Sequence, residues 1–240
     1  MRLIRCCSVL VAACGLLGAQ AHATGMCQTP FMHNGGVVQL SGTGGLQLGA
    51  NLAFSDVQKD GDGHCSARVK GKATYGLAGL PPGQSAVDYW MSVKNGKITF
   101  ERSENGRRVP VSGKFDLRML GLFAYGEPIT RQGQTFPALK FQINLDKKAV
   151  ATAPIVIHTG TRTVGAKQTL QTAVGEKSCW PIKYSRLTEA TQASFSGIVL
   201  PIPEMKSTVT DWFCPDVNMV MKQESNQSGI ASVVEVTRLQ

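Results

Sequence analysis

Trp90 to Val111 reads WMSVKNGKITFERSENGRRVPV, and two dipeptides in it decide the fold. Asn95-Gly96 and Asn105-Gly106 sit between alternating apolar and polar residues, the strongest short-range signature of a two-residue β-hairpin turn. The first turn sets Lys94 opposite Lys97, Val93 opposite Ile98 and Met91 opposite Phe100. Side chains alternate faces along a strand. Met91, Val93, Ile98 and Phe100 therefore share one face, and Trp90, Ser92, Lys94, Lys97, Thr99 and Glu101 share the other. The second turn independently places Phe100 on the face of Val109 and Val111. Two registers that agree support each other, so Phe100 is a predicted core residue and Thr99 is not.

The same alternation extends outward. Lys114–Met119 puts Phe115, Leu117 and Met119 on one face, and Leu139–Leu145 has apolar residues at every odd position. Pro154–His158 and Thr163–Val174 follow. Trp180–Leu187, Ser194–Leu200, Thr208–Phe213, Met219–Glu224 and Val233–Leu239 are further short runs rich in Val, Ile, Thr and aromatics, bounded by Gly, Pro, Asn or Ser. No window holds apolar residues at helical spacing over three turns. The fold class is all-β: an antiparallel meander that must curl into a barrel, half-barrel or sandwich to bury its apolar face.

Met1–Ala23 reads as a signal peptide. Arg2 and Arg5 precede an apolar run from Cys6 to Leu17, and Ala21-His22-Ala23 is a small-x-small cleavage site. The run falls short of the ~20 residues that span a bilayer, and no later segment is apolar enough to do so. A lipoprotein reading centred on Cys14 competes with it, but Leu16-Leu17 carry the apolar run past that cysteine. Removing 23 residues from 240 leaves 217, read as one all-β domain over 24–240. Its 23 basic and 16 acidic residues give a net charge of +7. Four cysteines remain: Cys27, Cys65, Cys179 and Cys214. In an exported chain they imply two disulfides, with three connectivities open. Cys27–Cys65 with Cys179–Cys214 keeps each pair within one half of the chain. Against it, a simple meander would place Cys179 and Cys214 at opposite ends of their strands. The expected location is the periplasm or the exterior, with cleavage after Ala23.

From Val164 onward the chain also carries a family likeness. Val164-Gly165-Ala166-Lys167, Ala173-Val174-Gly175, Cys179, Ile182 and Tyr184 lead to Thr210-Asp211-Trp212-Phe213-Cys214-Pro215 and Met219–Glu224. Val234–Leu239 closes the pattern, and Gly133-Gln134-Thr135-Phe136-Pro137 stands upstream of it. These residues resemble an exported bacterial domain-of-unknown-function family, some of whose members are named TapB-like. The resemblance covers Gly133 to Leu239. It departs at Phe213-Cys214, where the family has Tyr-Ala, and at Asp216-Val217-Asn218, where the family has a glycine turn. It implies an exported antiparallel β domain and supplies no catalytic residues.

The sites that would announce chemistry fail on inspection. Asp60-Gly61-Asp62-Gly63 resembles part of a calcium loop, but the twelfth position is Gly71 rather than glutamate. Gly160–Lys167 lacks the Ser or Thr and the helix of a phosphate loop. Gly83–Val87 lacks the second glycine of a nucleophile elbow. The cysteines have no zinc-ligand spacing, so neither metal nor cofactor is expected, and His158 reads as an isolated surface residue. The leading function is a non-enzymatic exported binding or envelope-support protein. The alternatives are a hydrolase whose site assembles from distant residues, and a carrier of a lipid or other hydrophobic ligand. From Lys94 to Arg118, seven basic and three acidic residues give a net +4. Lys94, Lys97, Arg107 and Arg108 are therefore the candidate contacts for an anionic envelope partner. Nucleic acid is disfavoured by export and by the lack of aromatics interleaved with these charges.

Overall fold

The computed structural model describes residues 25–60, 63–77, 83–94, 97–110, 125, 127–143, 155–195 and 198–240. The signal segment, Lys114–Met119, Asn144-Leu145 and the turn at Asn95-Gly96 lie outside them. The first six strands are β1 (Val37–Gly44), β2 (Leu46–Lys59), β3 (Cys65–Leu77), β4 (Gly83–Lys94), β5 (Lys97–Glu104) and β6 (Arg107–Pro110). They form an antiparallel meander in which each pairs with the next. Both hairpin registers read from the sequence are observed: Lys94 faces Lys97, Met91 faces Phe100 and Glu104 faces Arg107. Asn105 and Gly106 take φ of 50° and 77°, the left-handed pair a two-residue hairpin requires.

The remaining strands are β7 (Thr135–Phe136), β8 (Leu139–Ile143), β9 (Ile155–Thr159), β10 (Arg162–Val164), β11 (Gln168–Thr172), β12 (Gly175–Thr188), β13 (Thr191–Phe195), β14 (Ile198–Ile202), β15 (Met205–Cys214), β16 (Met219–Gln227) and β17 (Ile230–Leu239). Apart from the short 3₁₀ turn Met26–Gln28, the described residues contain no helix. Fifteen strands make one sheet, whose main path runs β6-β5-β4-β3-β2-β1-β17-β16-β15-β12-β10-β7. The first and last strands meet in its middle: Val37 N–H donates to Gln240 O at 2.8 Å and Gln240 N–H returns to Val37 O at 3.0 Å. Among the described residues β6 and β7 do not pair, so within them the sheet is open and not a closed barrel.

One face of this sheet is the core. Val38 and Leu40, Leu52 and Phe54, Ala67 and Val69, Met91 and Val93, and Val234 and Val236 are buried at alternate positions along their strands. Fully burying one such aliphatic chain contributes roughly 1.5–3 kcal/mol. Phe100 is half-buried against this core, edge-on to Tyr89 at 4.9 Å, whereas Thr99 is exposed. At Gly71 on β3 a Cβ would lie 1.9 Å from the Asn51 carbonyl oxygen of β2, so this position has no room for a side chain.

Two disulfides, the bonding expected in an oxidising compartment, join Cys27 to Cys65 and Cys179 to Cys214. The second resolves the geometric objection raised above. Ser194–Leu200 is not one strand but the turn of a hairpin, β13 paired with β14 through Phe195 opposite Ile198. The chain thus leaves the sheet and returns, so β12 and β15 are neighbours with Trp180 opposite Phe213. Cys179 and Cys214 then sit at the same end, 4.2 Å apart at Cα.

Candidate functional site

The alternation of β15 places Ser207, Val209, Asp211 and Phe213 on the buried face. A carboxylate in that series is costly unless it is hydrogen-bonded, and Asp211 is completely buried. Its partners come from the neighbouring strands. Gln223, opposite it on β16, donates from Nε2 at 2.8 Å, the Tyr125 hydroxyl donates at 2.8 Å and the Tyr184 hydroxyl from β12 donates at 3.3 Å. Arg186 extends the group, donating to Ser207 Oγ at 3.3 Å and Gln223 Oε1 at 3.5 Å. Arg162 lies over the rings of Tyr125 and Phe136 at 5.3 and 5.5 Å.

The electrostatics follow from enclosure. Burial pushes the Asp211 carboxyl above its ordinary range, while the bonds from Gln223 and the two tyrosines, with the Arg186 charge, pull the other way. Burial also raises both phenols well above 10, and the Asp211 charge raises them further. Tyr125 and Tyr184 therefore remain donors at any physiological pH. Three donors tie this one carboxyl group to Tyr125, β12 and β16, with Oδ1 accepting from Tyr184 and Gln223 and Oδ2 from Tyr125.

His158 is not isolated. Its Nε2 lies 2.5 Å from Glu189 Oε1, and Lys140 Nζ lies 3.7 Å from the same oxygen. The His158 hydrogen bond first, and Lys140 second, hold Glu189 below the usual carboxylate range. His158 also borders an open pocket of about 290 Å³ lined by Thr159, Gly160, Ser185, Arg186, Leu187, Lys206 and Ser207. No hydrogen bond among the described residues joins His158 to either serine.

The candidate basic contacts fall on the solvent face of β3–β6, with one exception. Lys94 and Arg108 are exposed on that face, and the register places Lys97 there beside Lys94. Arg107 pairs with Glu104 and so belongs to the opposite face. Arg68, Lys70 and Lys72 of β3 join the solvent face, against Asp88 and Glu101. Asp88 holds Arg68 through two bonds, at 3.1 and 3.2 Å. The expectation that no aromatic interleaves with these charges is corrected: Trp90 lies between Arg108, 3.8 Å from its ring centroid, and Arg68, at 5.9 Å. Cross-strand stacking brings together residues far apart in sequence, and a linear reading of charge spacing does not see it.

Asp211, Gln223 and the His158–Glu189 pair were not anticipated as sites. A signal existed for the first two, because each puts a polar side chain on a stripe otherwise made of Val209 and Phe213 or of Met219 and Met221. At the Asp60–Gly63 cluster the Asp60 carboxylate accepts from His64 N–H at 3.1 Å, while Gly61 and Asp62 lie outside the described residues.

No family model and no curated protein matches this chain. Among solved structures it is similar to a protein of Parabacteroides distasonis designated a lipoprotein, with TM-score 0.49 and 12% identity over 89% of this chain and 99% of that one. It is also similar to a protein of Bacteroides fragilis designated as exported with a YmcC-like fold, with TM-score 0.47 and 12% identity over 89% and 100%. The hypothetical lipoprotein YmcC of Escherichia coli aligns with TM-score 0.36 and 11% identity over 87% of each chain.

Proposed function

We propose that residues 24–240 form a single exported β domain, cleaved after Ala23, that acts without catalysis as a binding or support protein of the bacterial envelope. The export reading is supported by the basic and apolar leader and by the two disulfides. The resemblance to the TapB-like domain family agrees with it. The observation that carries the binding reading is the solvent face of β3–β6. Arg68, Lys70, Lys72, Lys94 and Arg108 there outnumber Asp88 and Glu101, and Arg108 sits over the Trp90 ring, 3.8 Å from its centroid, with no carboxylate partner among the described residues. A stacked guanidinium keeps its N–H edge free for an oxyanion. The partner is an anionic envelope surface carrying phosphate or carboxylate groups. Attraction of this kind fades with salt, because the screening length is about 8 Å at physiological ionic strength.

The test is binding of the mature protein to anionic lipid vesicles and to lipopolysaccharide at low and high salt, beside Lys94→Glu/Lys97→Glu and Arg108→Glu variants. Binding at low salt should fall in both variants. Binding that neither salt nor these substitutions weakens would remove the basic face from the account.

A further inference from the structure

Cross-strand partners share a face, so the registers order the solvent side of β3–β6 into rows. Ser66, Ser92 and Thr99 form one row, and Arg68, Trp90, Glu101 and Pro110 the next. Lys70 stands beside Asp88 in the row after that, and Arg108 stands opposite Ser103. Asp88 is already engaged. It takes two bonds from Arg68, at 3.1 and 3.2 Å, and lies 3.9 Å from Lys70 Nζ. Lys72, Lys94 and Arg108 are exposed and have no carboxylate partner among the described residues.

The spacing of these three cations narrows what they can hold. Arg108 on β6 stands three strands from Lys72 on β3, about 14 Å across the sheet. Lys94 lies about 20 Å along β4 from Asp88. A single phosphate or carboxylate therefore reaches only one of them. A chain that carries an anion on successive units reaches all three.

Three extended anions compete for this face. An anionic bilayer is flat, whereas neighbouring strands turn by roughly 20–25°, so β3 and β6 aim their cations about 60–75° apart and one plane does not meet both. The face also offers a bilayer nothing to insert. Apart from Ala86, Pro110 and Trp90, which carries Arg108 on its ring, its described side chains are polar. The exposed large apolar residues, Val199 and Ile230, lie on other strands. An acidic protein needs an apolar centre to its interface, and the same composition denies it one. A flexible acidic polysaccharide needs neither a plane nor an apolar centre. It takes cations at intervals and hydroxyl partners between them, and the row of Ser66, Ser92 and Thr99 lies between Lys94 and Trp90.

We propose that the solvent face of β3–β6 binds a linear acidic polysaccharide. Its carboxylate or phosphate groups meet Arg108, Lys72 and Lys94, and its sugar hydroxyls meet Ser66, Ser92 and Thr99. This partner rests on the basic-face reading above, which leaves the chemical class of the anion general.

The experiment is calorimetric titration of the mature protein with polygalacturonate, a linear polymer with one carboxylate per sugar, at low and high salt. Neutral dextran, galacturonate monomer and phosphatidylcholine/phosphatidylglycerol vesicles are titrated beside it. The polymer should bind at low salt, weaken at high salt and bind more tightly than the vesicles at equal charge. Dextran, and monomer at the same sugar concentration, should not bind. Lys72→Glu/Arg108→Glu should weaken the polymer by about tenfold or more. Lys183→Glu/Lys206→Glu, the same change of charge at exposed positions of β12 and β15, should not. Vesicle binding that Lys72→Glu/Arg108→Glu abolishes, with no binding to the polymer, overturns the polysaccharide and leaves the basic-face reading standing. Monomer that competes as well as polymer overturns it too, because one cation then suffices. Equal losses in the two double variants, or no binding to any anionic probe, overturn both readings.

Discussion

The meander β1–β6 and the strand group β12, β15 and β16 belong to one sheet but solve burial differently. In the meander the buried positions of the core face are apolar along β1–β4, charge reaches that side only at the exposed β5–β6 end with Arg102, Glu104 and Arg107, and on the solvent face Arg68, Asp88, Trp90 and Arg108 interact. In the second group the core face takes in Asp211, Gln223 and Ser207, all buried, with Tyr125, Tyr184 and Arg186 around them. The first region is held by many small, non-directional contributions. The second concentrates its stability in a few directional bonds whose loss leaves buried groups unpaired. The difference predicts where the molecule breaks.

Removing Asp211 should be the most damaging single change. Asp211→Ala removes the acceptor of the Tyr125 and Tyr184 hydroxyls and of the 2.8 Å bond from Gln223, and each buried donor left unsatisfied costs about 1–3 kcal/mol. Asp211→Asn keeps the shape and should cost less. Because burial raises the folded-state pKa of Asp211, its favourable contribution is whole below the unfolded value of about 3.9 and is lost as pH rises through the folded value. The stability gap between parent and Asp211→Asn should thus be widest near pH 4 and narrow toward pH 8, read from urea midpoints across that range. A gap that widens with pH would mean the group holds the ionised carboxylate, with Arg186 outweighing burial.

The disulfides compare the two regions at equal chain entropy. They close loops of 38 and 35 residues, for which unfolded-chain entropy gives nearly the same stabilisation, roughly 3–4 kcal/mol each. Any difference between Cys27→Ala/Cys65→Ala and Cys179→Ala/Cys214→Ala therefore reports the native state. The second pair links strands already in register at Trp180 and Phe213. The first ties the Met26–Gln28 turn to the start of β3, so its loss should also expose the amides of residues 26–34 to hydrogen exchange. Alkylation of the unreduced parent should add no mass.

Within the meander, Phe100→Ala should cost about 2–3 kcal/mol, less than the ~3–5 of a fully buried aromatic, because the ring is only half covered and leans on Tyr89. Thr99→Ala should stay within about 0.5 kcal/mol. Equal losses at the two positions would mean that β5 is covered on both faces.

The meander was legible because local signals decide it. Asn-Gly turns set register, register sets faces, and each step needs only neighbours in sequence. The Asp211 group was not, because its members come from Tyr125, β12, β15 and β16, and the bond from Tyr125 to Asp211 alone spans 86 residues. Even so, a charged residue between Val209 and Phe213 was a visible anomaly. The β13–β14 turn was missed for a different reason. Ser196-Gly197 is a turn dipeptide, but with apolar residues on both sides the run passed for one buried strand. That error produced the false objection to Cys179–Cys214, since a missed turn reverses the direction of everything after it.

The smallest effect belongs to the solvent face of the meander and sharpens the comparison most. Arg108 lies 3.8 Å from the Trp90 centroid and makes no ion pair among the described residues. An exposed cation–π contact is worth about 0.5–1 kcal/mol, within reach of a double-mutant cycle joining Arg108→Ala with Trp90→Leu. Such a cycle isolates the pair from the packing each residue makes elsewhere. The coupling should be small, favourable and nearly independent of salt, because the attraction is to a ring and not to a carboxylate. An anionic vesicle should then leave the stack in place and bind the outer edge of the guanidinium, so saturating vesicles should not quench the coupling. If the coupling is zero without vesicles, Arg108 is an ordinary solvated charge. The two bonds from Arg68 to Asp88 would then be the directional contacts left around Trp90, and the solvent face would stand between the apolar core face and the Asp211 region.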